Sequence, residues 1–112
     1  MAENPRTTLS DGTQVYPEHR DIIKEGDRIG QQEGYVVLAE EERAKGLVRP
    51  VRRSYKHLTC GGVTTMGQTI AETYARDPKF YGGTFCCHCS AHFPVGAEGE
   101  FVWDGTNEKV GT

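Results

Sequence analysis

His57-Leu58-Thr59-Cys60-Gly61-Gly62 and Cys86-Cys87-His88-Cys89-Ser90-Ala91 are the two stretches on which the reading of this sequence turns. Each sets two metal-ligating side chains with two residues between them. That spacing lets one tight turn aim both side chains at one ion, while backbone amides after the first ligand reach the thiolate sulfur. Gly61 follows Cys60 where such a turn calls for a positive φ, which glycine adopts without steric cost. The sequence between Cys60 and Cys86 is long enough to leave the first station and return to the second.

Cys60, Cys86 and Cys89 are therefore the expected ligands, and the fourth position is open among the histidines and the remaining thiol. His57 completes a symmetric pair of stations and is preferred. His92 instead completes Cys86-x-x-Cys89-x-x-His92 and would leave Cys60 as a lone remote ligand, and Cys87 and His88 lie inside the second turn. Sulfur and nitrogen donors favour Zn2+ over magnesium or calcium, which take oxygen, although iron shares the donor set. Four protein ligands fill a tetrahedron, so the zinc is expected to be structural and the chain not to be an enzyme. Neither Glu72 nor Glu98 falls in a zinc-hydrolase spacing, and no basic neighbour activates Cys87 as a redox thiol.

Working outward, the chain has 112 residues, of which 36% are apolar and 26% charged, with fourteen glycines. Apolar burial is thin for this length, which makes a metal staple useful to folding. No run approaches the roughly 18 apolar residues of a membrane span, and the start does not read as a secretory signal. A soluble intracellular protein is expected, and in a reducing compartment cysteines serve as ligands more often than as disulfides.

The fold class expected is α+β, a small zinc-stapled domain over residues 35–112 preceded by an extended acidic arm over 1–34 with little structure of its own. Within the domain, Tyr35-Val36-Val37-Leu38 leads into a two-turn helix over Ala39 to Lys45, closed by Gly46. Leu47 to Leu58, interrupted by Pro50, reads as an extended edge segment. Thr65-Met66-Gly67-Gln68 fits a capping box, opening a helix that places Met66, Ile70 and Tyr74 on one face and stops at Asp77-Pro78. Strands are expected at Thr84-Phe85, at Ala91 to Val95 and at Glu100 to Asp104, the last alternating around Phe101 and Trp103.

Net charge is only -3, yet residues 43–57 carry six bases and no acid. Such runs are most often solvated or neutralised within the molecule. The functional alternative is a partner-binding strip in which Arg49, Arg52 and Arg53 meet an acidic protein or, less favourably given the overall acidity, nucleic acid.

Arg49-Pro50-Val51-Arg52-Arg53-Ser54-Tyr55, Cys60-Gly61 with Thr64-Thr65-Met66-Gly67, Ala71 to Tyr81, and Phe85-Cys86 through Phe101-Val102-Trp103-Asp104-Gly105 resemble a family of small bacteriophage- and prophage-encoded zinc-binding proteins. The likeness spans roughly residues 30–112. It implies a phage setting, in the cytoplasm of a host cell or within a virion, with a virion component or a host protein as partner. It brings no activity with it and leaves the fourth ligand open.

Overall fold

The computed structural model describes residues 6–10, 12–26 and 29–112. The chain is α+β, with seven short strands and two α-helices among these residues. Strands β3 (Ser54–His57) and β4 (Val63–Thr65) form one hairpin, and β5 (Gly83–Cys86) and β6 (Ala91–Pro94) form another. Strand β7 (Phe101–Trp103) pairs with the other side of β3, giving the sheet order β4-β3-β7. A third, two-stranded sheet joins β1 (Thr7–Leu9) to β2 (Val36–Leu38).

The core explains why so little apolar material suffices. Tyr55, Met66, Tyr74, Phe101, Trp103 and Val110 are buried in one cluster. Tyr55 meets Phe101 and Trp103 edge-on, with ring centroids 5.3 and 6.5 Å apart. Aromatic side chains bury large areas each, and edge-to-face contacts add to that burial. Every residue of β7 is buried, so the expected alternation there fails. The C-terminal segment covers the second face, with Val102 bridged to Lys109 and Val110 fully enclosed.

Three expectations need correcting. Helix α2 (Gln68–Arg76) begins after Gly67, without a side-chain cap. Thr65, expected as its cap, ends β4, and its Oγ1 lies 3.0 Å from Ser54 Oγ across the hairpin. Helix α1 (Glu40–Arg43) is a single turn, because Leu38 is held in β2 and the Ala39 N–H is taken by Arg6 O at 2.8 Å. Gly46 does adopt a positive φ of 121°. β3 is central in its sheet rather than an edge, and the segment before it belongs to no strand, its Val48 and Arg49 amides bonding instead to Ala75 O of α2.

The described part of the arm, expected to have little structure of its own, is ordered by docking onto the domain. Its strand β1 pairs with β2, setting Thr8 opposite buried Val37, while the N–H of buried Leu38 on the same strand is met from the other side by Thr73 Oγ1 of α2 at 3.2 Å. The Ser10 carbonyl accepts from Thr69 Oγ1 at 3.0 Å, anchoring this strand to α2. Further along, Gly30 has φ 89° and lies against the turn between β5 and β6, where an added Cβ would sit 2.2 Å from the Ser90 carbonyl oxygen. Gly30→Ala thus combines a forbidden φ with a backbone clash, and is expected to cost about 1–3 kcal/mol. Denaturant midpoints of the two proteins check this; equal midpoints would show that the segment is not docked.

The basic strip is partly absorbed into the domain. Arg43 pairs with Glu72, and Arg52 pairs with Glu108 while its guanidinium carbon lies 4.7 Å from the centroid of the Trp103 ring. The ion pair to exposed Glu108 adds little, whereas the cation–π contact on a buried ring is expected to make Arg52→Ala destabilising by about 1 kcal/mol. Thermal unfolding of Arg52→Ala beside Arg52→Lys measures it.

Candidate metal centre

The two hairpins place the stations. His57 is the last residue of β3, and Cys60 lies in the loop that returns to β4. The Gly61 N–H donates to His57 O at 2.7 Å with Gly61 at φ 76°, and the next amide, Gly62 N–H, donates to Cys60 Sγ at 3.3 Å. Cys86 likewise ends β5, and Cys89 lies in the return loop, whose tight bend uses Ser90 at φ 54°. The hairpin tips face each other. Ligand atoms of His57, Cys60, Cys86 and Cys89 all lie within 4.8 Å of one another, a cluster able to hold a metal ion. Cys60 Sγ is 3.6 Å from Cys86 Sγ, and Cys89 Sγ is 3.6 Å from His57 Nδ1. A disulfide would need about 2.05 Å between sulfurs, and all four cysteines are free.

Each station gives one buried and one exposed ligand, with His57 and Cys86 enclosed and Cys60 and Cys89 open. The imidazole of His57 packs against both Phe93 and Phe101, its centroid 4.5 and 4.7 Å from theirs. Its Nε2 lies 3.0 Å from Glu100 Oε1, which also accepts from Thr59 Oγ1 at 3.0 Å. A carboxylate on Nε2–H fixes the tautomer that leaves Nδ1 free to ligate, and makes the ring a better donor. The β3–β7 register brings Glu100 there: His57 faces Phe101, and Leu58 N–H donates to Glu100 O at 2.8 Å.

The charges fit a cation. Burial pulls the His57 pKa down, but Glu100 and Cys60 outweigh it and leave it above the ordinary value. The His57 contact holds Glu100 below the usual carboxylate range. The Gly62 amide, then the neighbouring ligands, bring Cys60 down to about 7, whereas desolvation and the Cys86 and Cys60 thiols push Cys89 up to about 11. One thiolate therefore forms readily near neutrality and makes the next one harder. A bound cation would favour the thiolate form of its ligating cysteines.

The other sequence candidates lie elsewhere. The Tyr35 hydroxyl is 2.8 Å from His92 Nε2, and desolvation lowers the His92 pKa. Cys87 N–H donates to Thr64 Oγ1 at 3.1 Å, and its thiol lies 3.5 Å from Val63 O. The exposed His88 ring packs over Gly62, where an added Cβ would lie 2.1 Å from it. Glu72 is engaged by Gln68 and Arg43 on α2's outer side of the fold. Glu100 was not legible as part of the site, because its role depends on pairing across β3 and β7 rather than on spacing.

Glu100→Ala is expected to weaken metal binding about 10–100-fold, as loss of such an orienting carboxylate does, with Glu100→Gln falling in between. Competition with a chromophoric chelator measures this; equal affinity in Glu100→Ala would remove the orienting role. No helix among the described residues is long and apolar enough to cross a membrane. In comparisons with known proteins, no family model, curated protein or solved structure matches this chain.

Proposed function

We propose that the chain is a non-enzymatic module in which one zinc ion, held by His57, Cys60, Cys86 and Cys89, fixes a small scaffold that binds a protein partner. The convergence of these four ligand atoms carries the reading. Tetrahedral zinc, with bonds of about 2.3 Å to sulfur and 2.0–2.1 Å to nitrogen, spaces two sulfurs about 3.8 Å apart and a sulfur and nitrogen about 3.6 Å apart. The separations of 3.6 Å at Cys60–Cys86 and at Cys89–His57 are close to that frame. Four protein ligands leave no coordination position for a substrate, which favours a structural over a catalytic ion.

The partner is a virion component, with the chain as a decoration or cement protein, or a host protein met in the host-cell cytoplasm; the resemblance to phage-encoded proteins supports this setting. Exposed Leu47, Val48 and Val51 surround Arg49, forming a mixed apolar and basic stretch suited to an acidic protein surface. The Arg49 guanidinium donates to the Thr112 and Val48 carbonyls, at 3.4 and 3.3 Å, and exposed Arg53 donates to Met66 O at 3.1 Å. Arg52 faces inward by comparison, so Arg49 and Arg53 are the better contacts. Nucleic-acid binding by residues 43–56 is the less favoured reading, since Arg43 and Arg52 are already paired within the domain.

The test is a pull-down with the zinc-loaded chain from infected or lysogenic cells, beside Arg49→Glu/Arg53→Glu. The expected result is a protein recovered by the native chain and lost with the variant at unchanged zinc content. Recovery of nuclease-sensitive nucleic acid instead, or equal recovery by both chains, would overturn the proposed surface.

A further inference from the structure

β4 and β5 are edge strands of separate sheets that approach each other. They touch at the metal end, through Thr64 and Cys87, and enclose a cavity of about 440 Å³ beyond it. That volume lies within the range of small-molecule sites. Tyr55, Tyr74, Tyr81, Met66 and Phe85 contribute its apolar surface, and α2 begins on its rim at Gly67 and Gln68.

Two features restrict what it can hold. The first is charge: none of the described lining residues is Asp, Glu, Lys, Arg or His, in a chain that is 26% charged. Burial raises the phenols of Tyr55, to about 12, and of Tyr74 and Tyr81, so they stay neutral at physiological pH. A charged ligand would lose its hydration and find no counter-charge.

The second is the hydrogen-bonding character of the walls. Gly62 O accepts from His57 N–H at 2.9 Å, and Met66 N–H donates to Arg53 O at 2.7 Å. Groups on an antiparallel strand alternate in direction, so those of Thr65, between them in register, face away from β3. On β5, Val95 N–H donates to Gly82 O at 3.2 Å, and Gly83 stands opposite Pro94, which has no N–H to offer. Gly83 and Phe85 thus face away from β6, and Phe85 O accepts the Tyr55 hydroxyl at 2.5 Å. Thr84 Oγ1 in turn donates to that hydroxyl at 3.2 Å. The cavity therefore pairs ring faces with backbone and hydroxyl groups that act as both donors and acceptors.

We infer that this cavity between β4 and β5 is a binding site for a small uncharged molecule carrying a ring and an amide-type edge. The ring packs among the tyrosines, and the amide edge bonds to the outward groups of β4 or β5. None of the four metal ligands and none of the bases of residues 43–57 lines it.

The experiment uses the full zinc-loaded chain and three probes built on one ring: benzamide, benzoate and benzylamine. Amide NMR titrations are expected to show saturable benzamide shifts centred on Thr65, Met66, Thr84 and Phe85, with a Kd on the order of 1 mM, as suits a probe of this size. Both charged analogues should bind at least about tenfold more weakly. Gly67 has open space at its Cβ position and no positive φ. Gly67→Leu, with native zinc content and spectral dispersion, should weaken benzamide binding at least about tenfold by filling the cavity wall. Shifts without saturation, shifts centred elsewhere, benzoate or benzylamine binding as well as benzamide, or undiminished binding to Gly67→Leu would each overturn the inference.

Discussion

Stripping the metal with a strong chelator at neutral pH is expected to unfold the domain from β3 to β7. A structural zinc contributes on the order of 10 kcal/mol of apparent binding free energy, comparable with the whole stability of a small domain. Here the ligands are also core residues. His57 packs against Phe93 and Phe101, and Cys86 is fully buried within the cluster that holds Tyr55 and Trp103. Metal loss would leave a buried imidazole and a buried thiol without their partner, in the middle of the aromatic packing. β1 and the Gly30 segment lean on α2 and on the second hairpin, so their signals should change as well.

Acid should act as the chelator does. The ligating thiols and His57 Nδ1 must be unprotonated when metal is bound. Cys60 already illustrates the sign without metal: its folded value of about 7 lies below the reference of 9.0. Its contribution to stability is complete above that reference and is lost as pH falls through about 7. A bound cation lowers the thiol values further and moves the loss to more acidic pH. Amide-resolved spectra with and without chelator, followed by titration toward about pH 4, check both. Dispersed resonances for Thr64 to Trp103 that survive complete metal removal would show that the aromatic core stands alone.

The second large effect separates ligands from neighbours. Cys60→Ser, Cys86→Ser, Cys89→Ser and His57→Ala should each abolish stoichiometric metal binding and cooperative unfolding, Cys86 most severely because it is enclosed. Cys87→Ser should keep the metal, since a hydroxyl can still meet Thr64 Oγ1 and Val63 O. His92→Ala loses the Tyr35 bond and should cost about 1 kcal/mol with metal retained. Metal content and thermal unfolding of these variants check the assignment. Metal lost from His92→Ala but kept by His57→Ala would reverse it.

The cysteine spacing made most of this centre readable before any fold was known, because x-x spacing and Gly61 encode the turn locally. Spacing alone leaves His57 and His92 both eligible, since the β3–β7 register is what places His57 against two aromatic rings with Glu100 on its far nitrogen. The helix ending at Asp77-Pro78 was read correctly from proline, but its start was set too early because Thr65 is equally suited to a strand edge and serves there. β1 carries three residues of no clear period and exists because β2 needs a partner. Ser90 holds a positive φ that glycine would have announced. Where a feature rests on long-range pairing, local spacing had nothing to register.

Metal analysis of the chain purified without added metal, read beside its free-thiol count, tests the central claim most directly. The account predicts one zinc per chain with three thiols protected and Cys87 alone reactive. Less than about 0.2 zinc per chain, with all four thiols free and the protein folded, would contradict it.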